Sequence, residues 1–169
     1  RAGIFRHMAP RPVTATASRI AVQTRDRVNV VARTRDDDID VLAEARMVVG
    51  VGSGGITPDD YPTVERLCAV LGAELGATRK VTDNGWLPRA RQIGITGRTI
   101  APHLYVALGT SGKFNHMVGV RRAGTVLAVN SDADALVFDA ADIGIVGDAV
   151  EAATLLATEL ERARASARP

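Results

Sequence analysis

Four short runs of mostly apolar residues, each ended by glycine or by a polar residue, dominate the hydrophobic pattern of the chain. Apolar runs without alternation are typical of strands that are buried on both faces, as in a parallel sheet covered by helices. Each run has four or five residues, a normal length for such a strand. The pattern therefore predicts strands at residues 47–51, 104–108, 125–129 and 143–146.

Helical periodicity separates these strands. A helix is predicted after the first strand, and Gly76 is expected to end it. A short helix through His116 is expected to end at Gly119, whereas residues 77–103 contain too many glycines and prolines for a long element. The apolar faces of the first helix and of a final helix are formed by Val64, Leu67, Cys68, Leu71 and Leu75, and by Ala149, Ala152, Ala153, Leu156 and Leu160.

The alternation of strands and helices predicts the fold class. It favours an α/β fold with a doubly wound, mostly parallel sheet and helices on both faces. Residues 1–42 differ from the rest, because they hold only two short candidate strands, at 19–23 and 28–32. Two strands do not form a stable unit alone. We therefore interpret residues 1–42 as the last strands of a preceding domain and residues 43–165 as the main domain.

Composition narrows the possible functions. A chain of 169 residues with 46% hydrophobic and 24% charged residues is an ordinary folded domain rather than a disordered one. Its single cysteine excludes an internal disulfide framework and suggests a reducing compartment. The net charge of +2 is too small to favour nucleic acid as a partner, and no apolar run is long enough to cross a bilayer. We expect neither nucleic-acid binding nor membrane insertion.

Candidate ligand-binding groups follow the predicted strands directly. They are the glycine clusters 52–55 and 109–112, together with Asn130 and Asp148. The carboxyl ends of parallel strands lie at one edge of a sheet, so these groups should converge there. Glycine loops can offer backbone N–H groups to a phosphate, and a following helix adds the positive end of its dipole. Each glycine cluster alone is better explained as a plain strand-to-helix turn, because turns require glycine for steric reasons, but their convergence favours a nucleotide site.

Seven ordered sequence blocks within residues 67–148 are similar to a known family. The chain resembles the carboxy-terminal FAD-binding domain of the electron transfer flavoprotein alpha subunit, and the resemblance implies a Rossmann-like domain with FAD as its cofactor. The similar blocks are residues 76–79, 83–86, 92–97, 101–105, 109–112 with 115–116, 129–132, and 141–144 with 147–148.

The resemblance also implies where FAD is bound. Thr78, Arg79 and Thr96 match residues that border the isoalloxazine ring, with the Thr96 hydroxyl near N5. The run 111–116 matches residues that wrap the flavin and its pyrophosphate, with His116 near O2, and Asn130 and Asp148 match residues that hold the adenosine half. We expect no catalytic and no metal-binding residue, and cofactor contacts from Ser53, Thr78, Arg79, Ile93, Gly94, Ile95, Thr96, Ser111, Gly112, Lys113, Phe114, Asn115, His116, Asn130, Asp148 and Ala149.

Electrostatics agree with these roles. Reduced flavin carries negative charge, which the guanidinium of Arg79 and a donor at His116 would stabilise. An alternative for Arg79 is a structural ion pair with Asp83. The chain also departs from the family pattern: Ser53 stands where an arginine usually meets the phosphates, and Lys113 offers a replacement charge.

The resemblance implies an electron carrier rather than a self-contained catalyst. Such a carrier pairs with an electron transfer flavoprotein beta subunit as a heterodimer, and relays electrons from a donor dehydrogenase to an acceptor oxidoreductase. We expect a bacterial cytoplasmic location rather than the mitochondrial matrix. Because the phosphate arginine is missing, the alternative is a non-redox module that binds an adenine nucleotide, or serves assembly, with weak or no FAD.

Overall fold

The computed structural model describes residues 41–166, so the predicted strands at 19–23 and 28–32 lie outside the described residues. The helices are α1 (Val41–Glu44), α2 (Tyr61–Leu71), α3 (Arg79–Asp83), α4 (Phe114–Met117) and α5 (Ala149–Ser166). The strands are β1 (Met47–Val51), β2 (Glu74–Ala77), β3 (Leu104–Leu108), β4 (Thr125–Asn130) and β5 (Ile143–Val146). Short 3₁₀ helices occupy Pro58–Asp60, Arg89–Arg91 and Leu136–Ala140.

The five strands form one parallel sheet in the order β2-β1-β3-β4-β5. This confirms the predicted α/β fold with a parallel sheet. The strands predicted at 47–51, 104–108 and 143–146 are confirmed, and the strand predicted at 125–129 extends by one residue to Asn130.

Successive residues of the strands alternate between two buried layers. Val49 and Val106 face the layer formed with α2 and α5, whereas Val48, Tyr105 and Ala107 face a second layer. In the second layer the sheet is covered by α1 and by residues of the connecting loops. Burial on both faces explains why β1, β3 and β4 are almost continuously apolar. For β5 the expected burial was wrong, because this strand lies at the edge of the sheet and is exposed along its length.

The prediction for the end of the first helix was wrong. α2 ends at Leu71, and Gly72 follows it with φ +68°, the left-handed conformation that commonly terminates helices. Leu75 and Gly76, which the periodicity placed in the helix, lie in β2 and pair with Val49 and Gly50 of β1. Leu75 fits the helical repeat by coincidence, because a short strand follows the helix after a turn of two residues.

An ion pair and a hydrogen bond link α2 to α5 on one side of the sheet. The guanidinium of Arg66 on α2 pairs with the carboxylate of Glu161 on α5, and also donates to the hydroxyl of Thr158 at 3.3 Å. Cys68 of α2 is buried against the same layer, and burial raises the pKa of its thiol to about 12.

Within residues 41–166, no helix has both the length and the apolar composition needed to span a bilayer.

Candidate functional site

A cavity of about 730 Å³ lies at the carboxyl ends of β1, β3 and β4. In the order β2-β1-β3-β4-β5, the chain leaves β1 towards β2 on one side and reaches β3 on the other. This is the switch point at which open α/β sheets bind ligands. Most of the groups that the sequence predicted to converge at one edge of the sheet thus border this cavity.

The two glycine loops at this edge contact each other. Gly52 N–H donates to Leu108 O at 2.8 Å, and Gly54 N–H donates to Gly109 O at 3.1 Å. A Cβ at Gly52 or at Gly109 would overlap backbone atoms of the opposite loop. These two N–H groups are thus not available to a phosphate, and the glycines are required for the close approach of the loops.

The start of α2 also differs from the expected phosphate site. The loop after β1 continues to Thr57 before the helical turns begin. Asp60 Oδ2 accepts hydrogen bonds from the Thr57 N–H at 2.9 Å and from its hydroxyl at 2.8 Å, which lowers the pKa of Asp60. A carboxylate already occupies this helix end, so the structure does not support a phosphate there.

Charged groups are distributed unevenly around the cavity. Arg79, Lys80 and Lys113 line it, whereas Asp132 and Asp134 line it beyond the end of β4. A ligand with an anionic group and several hydroxyls matches this arrangement, because cations favour phosphates and carboxylates accept from hydroxyls.

Arg79 takes part in an ion pair as well as lining the cavity. Its Nε lies 3.0 Å from Asp83 Oδ2, and both side chains are largely exposed. Arg89 lies 3.7 Å from the other carboxylate oxygen of Asp83. The structure therefore contains the ion pair that the sequence left as an alternative, together with the cavity position that the resemblance implied.

His116 is buried in the cavity wall, and both of its ring nitrogens have partners. Nδ1 lies 3.2 Å from Ile93 O, and Nε2 lies 2.7 Å from the Tyr105 hydroxyl. A carbonyl oxygen only accepts, so Nδ1 carries the proton and the Tyr105 hydroxyl donates to Nε2. In this arrangement neither nitrogen is available to a ligand, and the donor role expected from the sequence requires one of the two bonds to open.

Burial lowers the pKa of His116. In the unfolded chain His116 takes up a proton near pH 6.5, whereas in the folded protein it takes one up only at lower pH. Acidification therefore favours unfolding. We expect the stability advantage of the wild type over His116→Gln to shrink by up to about 1.4 kcal/mol per pH unit as the pH falls below about 6.5. Urea denaturation of both proteins between pH 7.5 and 5.5 measures this, and parallel curves would contradict it.

Asn130 joins the loops that follow β3 and β4. Its Nδ2 donates to Thr110 O at 2.8 Å, and its Oδ1 accepts from Asp132 N–H at 2.9 Å. The residue is nearly buried and lines the cavity. Asn130 thus holds together the two loops that form this part of the cavity wall.

Asp148 is the amino-terminal cap of α5. Its Oδ1 accepts from the N–H groups of Val150 at 2.9 Å and Glu151 at 2.8 Å. The structure does not place Asp148 on the cavity wall, although the sequence predicted a cofactor contact there. Its carboxylate caps α5, and the resemblance at this single position does not reveal that role.

We expect Asp148→Ala to lower the free energy of unfolding by about 1 kcal/mol, the usual effect of losing a cap. Asp148→Asn keeps an acceptor oxygen and is expected to lose less than half of this. Thermal unfolding of the two variants and the wild type measures the effect. Equal losses in both variants would show that the charge, rather than the hydrogen bonds, stabilises α5.

Most of the predicted site residues lie together on the cavity wall. These are Ser53, Thr78, Arg79, Ile93, Ile95, Thr96, Ser111, Lys113, Asn115, His116 and Asn130. The residues that do not line it are Gly94, Gly112, Phe114, Asp148 and Ala149. Gly94 and Gly112 have positive φ values of +128° and +74°, so their role here is to set the path of the loops.

Sequence reasoning missed several residues of the wall and one behind it. Lys80 adjoins Arg79, and Asp132 follows Asn130 by two residues and belongs to a block that carried the resemblance. Gln92 is fully buried behind the wall, where its amide contacts the hydroxyls of Thr82 and Thr96. The sequence shows that Gln92 and Thr96 are four residues apart. It does not show that Gln92 is buried, because hydrophobic patterns identify only apolar side chains as buried.

Comparisons with known proteins identify relatives of this chain. Residues 41–121 match the family model described as the electron transfer flavoprotein FAD-binding domain. The chain is 46% identical to Protein FixB of Azorhizobium caulinodans over 132 residues, which cover 78% of this chain and 36% of that protein. It is 44% identical to the electron transfer flavoprotein subunit alpha of Mycobacterium leprae over 115 residues, which cover 68% of this chain and 36% of that protein.

A plant relative is similar in extent. The mitochondrial electron transfer flavoprotein subunit alpha of Oryza sativa subsp. indica is 42% identical over 119 residues, which cover 70% of this chain and 33% of that protein. The chain therefore spans about a third of the length of the curated relatives that it matches.

Proposed function

The chain belongs to the family of electron transfer flavoprotein alpha subunits, and from this premise we propose that it binds FAD in the cavity and acts in electron transfer. The observation that carries the proposal is the position of the cavity. It lies at the switch point of a parallel sheet, and cationic and carboxylate side chains line it. Dinucleotides bind at such switch points in doubly wound folds.

The residues present fit FAD in their chemistry. Lys80 and Lys113 supply two positive charges, enough to balance the two negative charges of a pyrophosphate, and Arg79 supplies a third for the flavin ring. Asp132 and Asp134 supply acceptors for ribose hydroxyls at the other side of the cavity. Lys80 and Lys113 thus offer cationic contacts even though Ser53 replaces the arginine of the family pattern.

The remaining wall residues position and enclose the ring system. Thr78 and Thr96 offer hydroxyls, and Ile93 and Ile95 offer apolar surface to an aromatic ring. Asn130 holds the wall between two loops. When bound, FAD supplies the capacity to take up and release electrons, and the side chains set how readily it does so.

The electron-carrier role requires other proteins. We infer that the partner is an electron transfer flavoprotein beta subunit, with a donor dehydrogenase and an acceptor oxidoreductase. Ile95 and Leu136, two residues of the cavity wall, are 57% and 55% exposed, and this apolar surface supports the approach of another protein. The protein then transfers electrons between partners and does not transform a substrate alone.

We also propose the bacterial cytoplasm as the location. Protein FixB of Azorhizobium caulinodans and the Mycobacterium leprae subunit support a bacterial setting. The relative from Oryza sativa is named as mitochondrial. Fractionation of the source cells, with detection of the chain in each fraction, tests the proposal.

Incubation with FAD tests the central proposal. The purified chain is incubated with FAD, FMN or ADP, freed of unbound ligand and examined by absorption spectroscopy and mass spectrometry of the released ligand. We expect FAD to be retained with a flavin spectrum and FMN to be lost, because FMN lacks the adenosine half. A protein that stays colourless but retains ADP would replace the proposal with a non-redox nucleotide-binding module.

A further inference from the structure

A buried amide links two hydroxyl groups across the cavity wall. Gln92 is fully buried. Its Nε2 donates to Thr96 Oγ1 at 2.7 Å, and its Oε1 accepts from Thr82 Oγ1 at 2.9 Å. We refer to these three side chains as the Thr82–Gln92–Thr96 chain. Thr96 lines the cavity, so one end of the chain faces the ligand space and the other end lies at α3.

The Thr82 hydroxyl has two acceptors and one proton. Arg79 O and Gln92 Oε1 both lie 2.9 Å from Thr82 Oγ1. The proton can serve only one of them at a time. The hydroxyl can therefore turn between the two acceptors without movement of any heavy atom.

The amide of Gln92 can also be reversed within the same space. The oxygen and nitrogen of a carboxamide are nearly equal in size, so both orientations fit the same positions. In the reversed orientation Nε2 donates to Thr82 Oγ1, and Thr82 donates to Arg79 O. Thr96 then donates to Gln92 Oε1, and each polar side-chain atom of the three residues has at least one partner.

The two orientations of the Gln92 amide set two directions of hydrogen bonding along the three side chains, and the two directions present different groups to the cavity. In the first direction Thr96 accepts from Gln92, and its own O–H is available to a ligand acceptor. In the reversed direction the Thr96 hydroxyl donates its proton to Gln92 Oε1, and its oxygen is left to accept a hydrogen bond from the ligand. The chain can thus satisfy either an acceptor or a donor at one position.

We propose that Gln92 is a positioning residue that allows Thr96 to act as donor or acceptor according to the redox state of the bound cofactor. This inference rests on the proposed function. Ring nitrogens of oxidised flavin accept hydrogen bonds, whereas reduction adds an N–H that donates. The Thr82–Gln92–Thr96 chain offers a matching partner for each state, so the Thr96 hydroxyl and the ring nitrogen facing it are paired in both states.

Thr82→Val is the discriminating variant, because it keeps the shape of the side chain and removes the hydroxyl behind Gln92. In the reversed direction it leaves the Gln92 N–H without an acceptor. In the first direction it removes only a donor that Gln92 Oε1 already shares with Arg79 O, which is the smaller loss. We expect oxidised FAD to bind within about twofold of the wild type and reduced FAD to bind about tenfold more weakly. A tenfold difference corresponds to a midpoint potential about 30 mV lower for a two-electron couple.

Two control variants separate this effect from a general loss of structure. Thr82→Ser restores the hydroxyl and should recover the wild-type potential. Thr154→Val removes a hydroxyl that donates to a backbone oxygen at 2.8 Å on exposed α5, and should leave the potential unchanged. Equal weakening of oxidised and reduced FAD by Thr82→Val would overturn the proposal and make the chain purely structural.

A second measurement needs no cofactor. In the ligand-free protein we expect the ¹⁵N resonance of the Gln92 carboxamide to be broadened by exchange between the two orientations. Thr82→Val should sharpen it by favouring one orientation. A sharp resonance that is identical in both proteins overturns the switch. Absence of FAD binding by the wild type would instead reject the proposed function, so the two failures are distinguishable.

Discussion

Gly109→Ala is expected to destabilise the protein by about 2–5 kcal/mol and to weaken FAD binding at least tenfold. Gly109 has φ +60°, which costs other residues about 1–2 kcal/mol. Its added Cβ would also overlap Gly54 O in the facing loop, and overpacking costs about 1–3 kcal/mol. Both loops border the cavity, so their separation changes the site directly. Urea denaturation and FAD titration measure the two effects.

Gly55→Ala is the matched control for this prediction. Gly55 also has a positive φ, +88°, but no atom lies within 4 Å of the position that a Cβ would take. We expect a loss of only about 1 kcal/mol from the conformational strain and little change in FAD affinity. Equal losses for the two variants would show that the contact between the loops contributes nothing.

Arg79→Ala is expected to keep FAD bound but make it harder to reduce. Loss of one charge-assisted contact of about 1–3 kcal/mol corresponds to about 40–130 mV in a one-electron potential. The guanidinium is paired with Asp83 and the Arg79 side chain is 63% exposed, so we expect the lower half of this range. Redox titration of the FAD-loaded protein measures the shift.

Two further variants identify the origin of the effect. Arg79→Lys keeps the charge and should recover part of the potential, although it loses the planar geometry of the guanidinium. Asp83→Asn removes the opposing charge and should raise the potential. If Arg79→Ala changes the potential by less than about 15 mV, well below the contact-energy range, and only lowers stability, Arg79 belongs to a structural ion pair and not to the flavin site.

The sheet could be predicted from the sequence because its central strands are buried on both faces. Such strands appear as continuous apolar runs, and those runs end where the strands end. β2 was missed because it has only four residues and begins with Glu74 and Leu75, which are only half-buried. Leu75 also continued the helical spacing of α2, so the turn at Gly72 was the only local sign of a boundary.

The convergence of residues on the cavity could be predicted from the sequence, but most of their hydrogen bonds could not. Residues at the ends of β1, β3 and β4 converge because the topology requires it. The partners of His116 depend on how separate segments pack, because Tyr105 and Ile93 come from other parts of the chain. Residue types alone do not encode such tertiary contacts. The Asp148 carboxylate instead caps the helix that follows it, a local contact that its residue type favours.

The buried thiol of Cys68 makes this protein suitable for site-specific labelling. It is the only cysteine in the chain, and only 7% of it is exposed. Because the thiolate is the reactive form, a pKa of about 12 makes the native cysteine nearly inert to maleimides at neutral pH. A new surface cysteine on α5 could then carry a fluorophore without removal of the native one. Energy transfer between that dye and a flavin in the cavity would report when the cofactor binds.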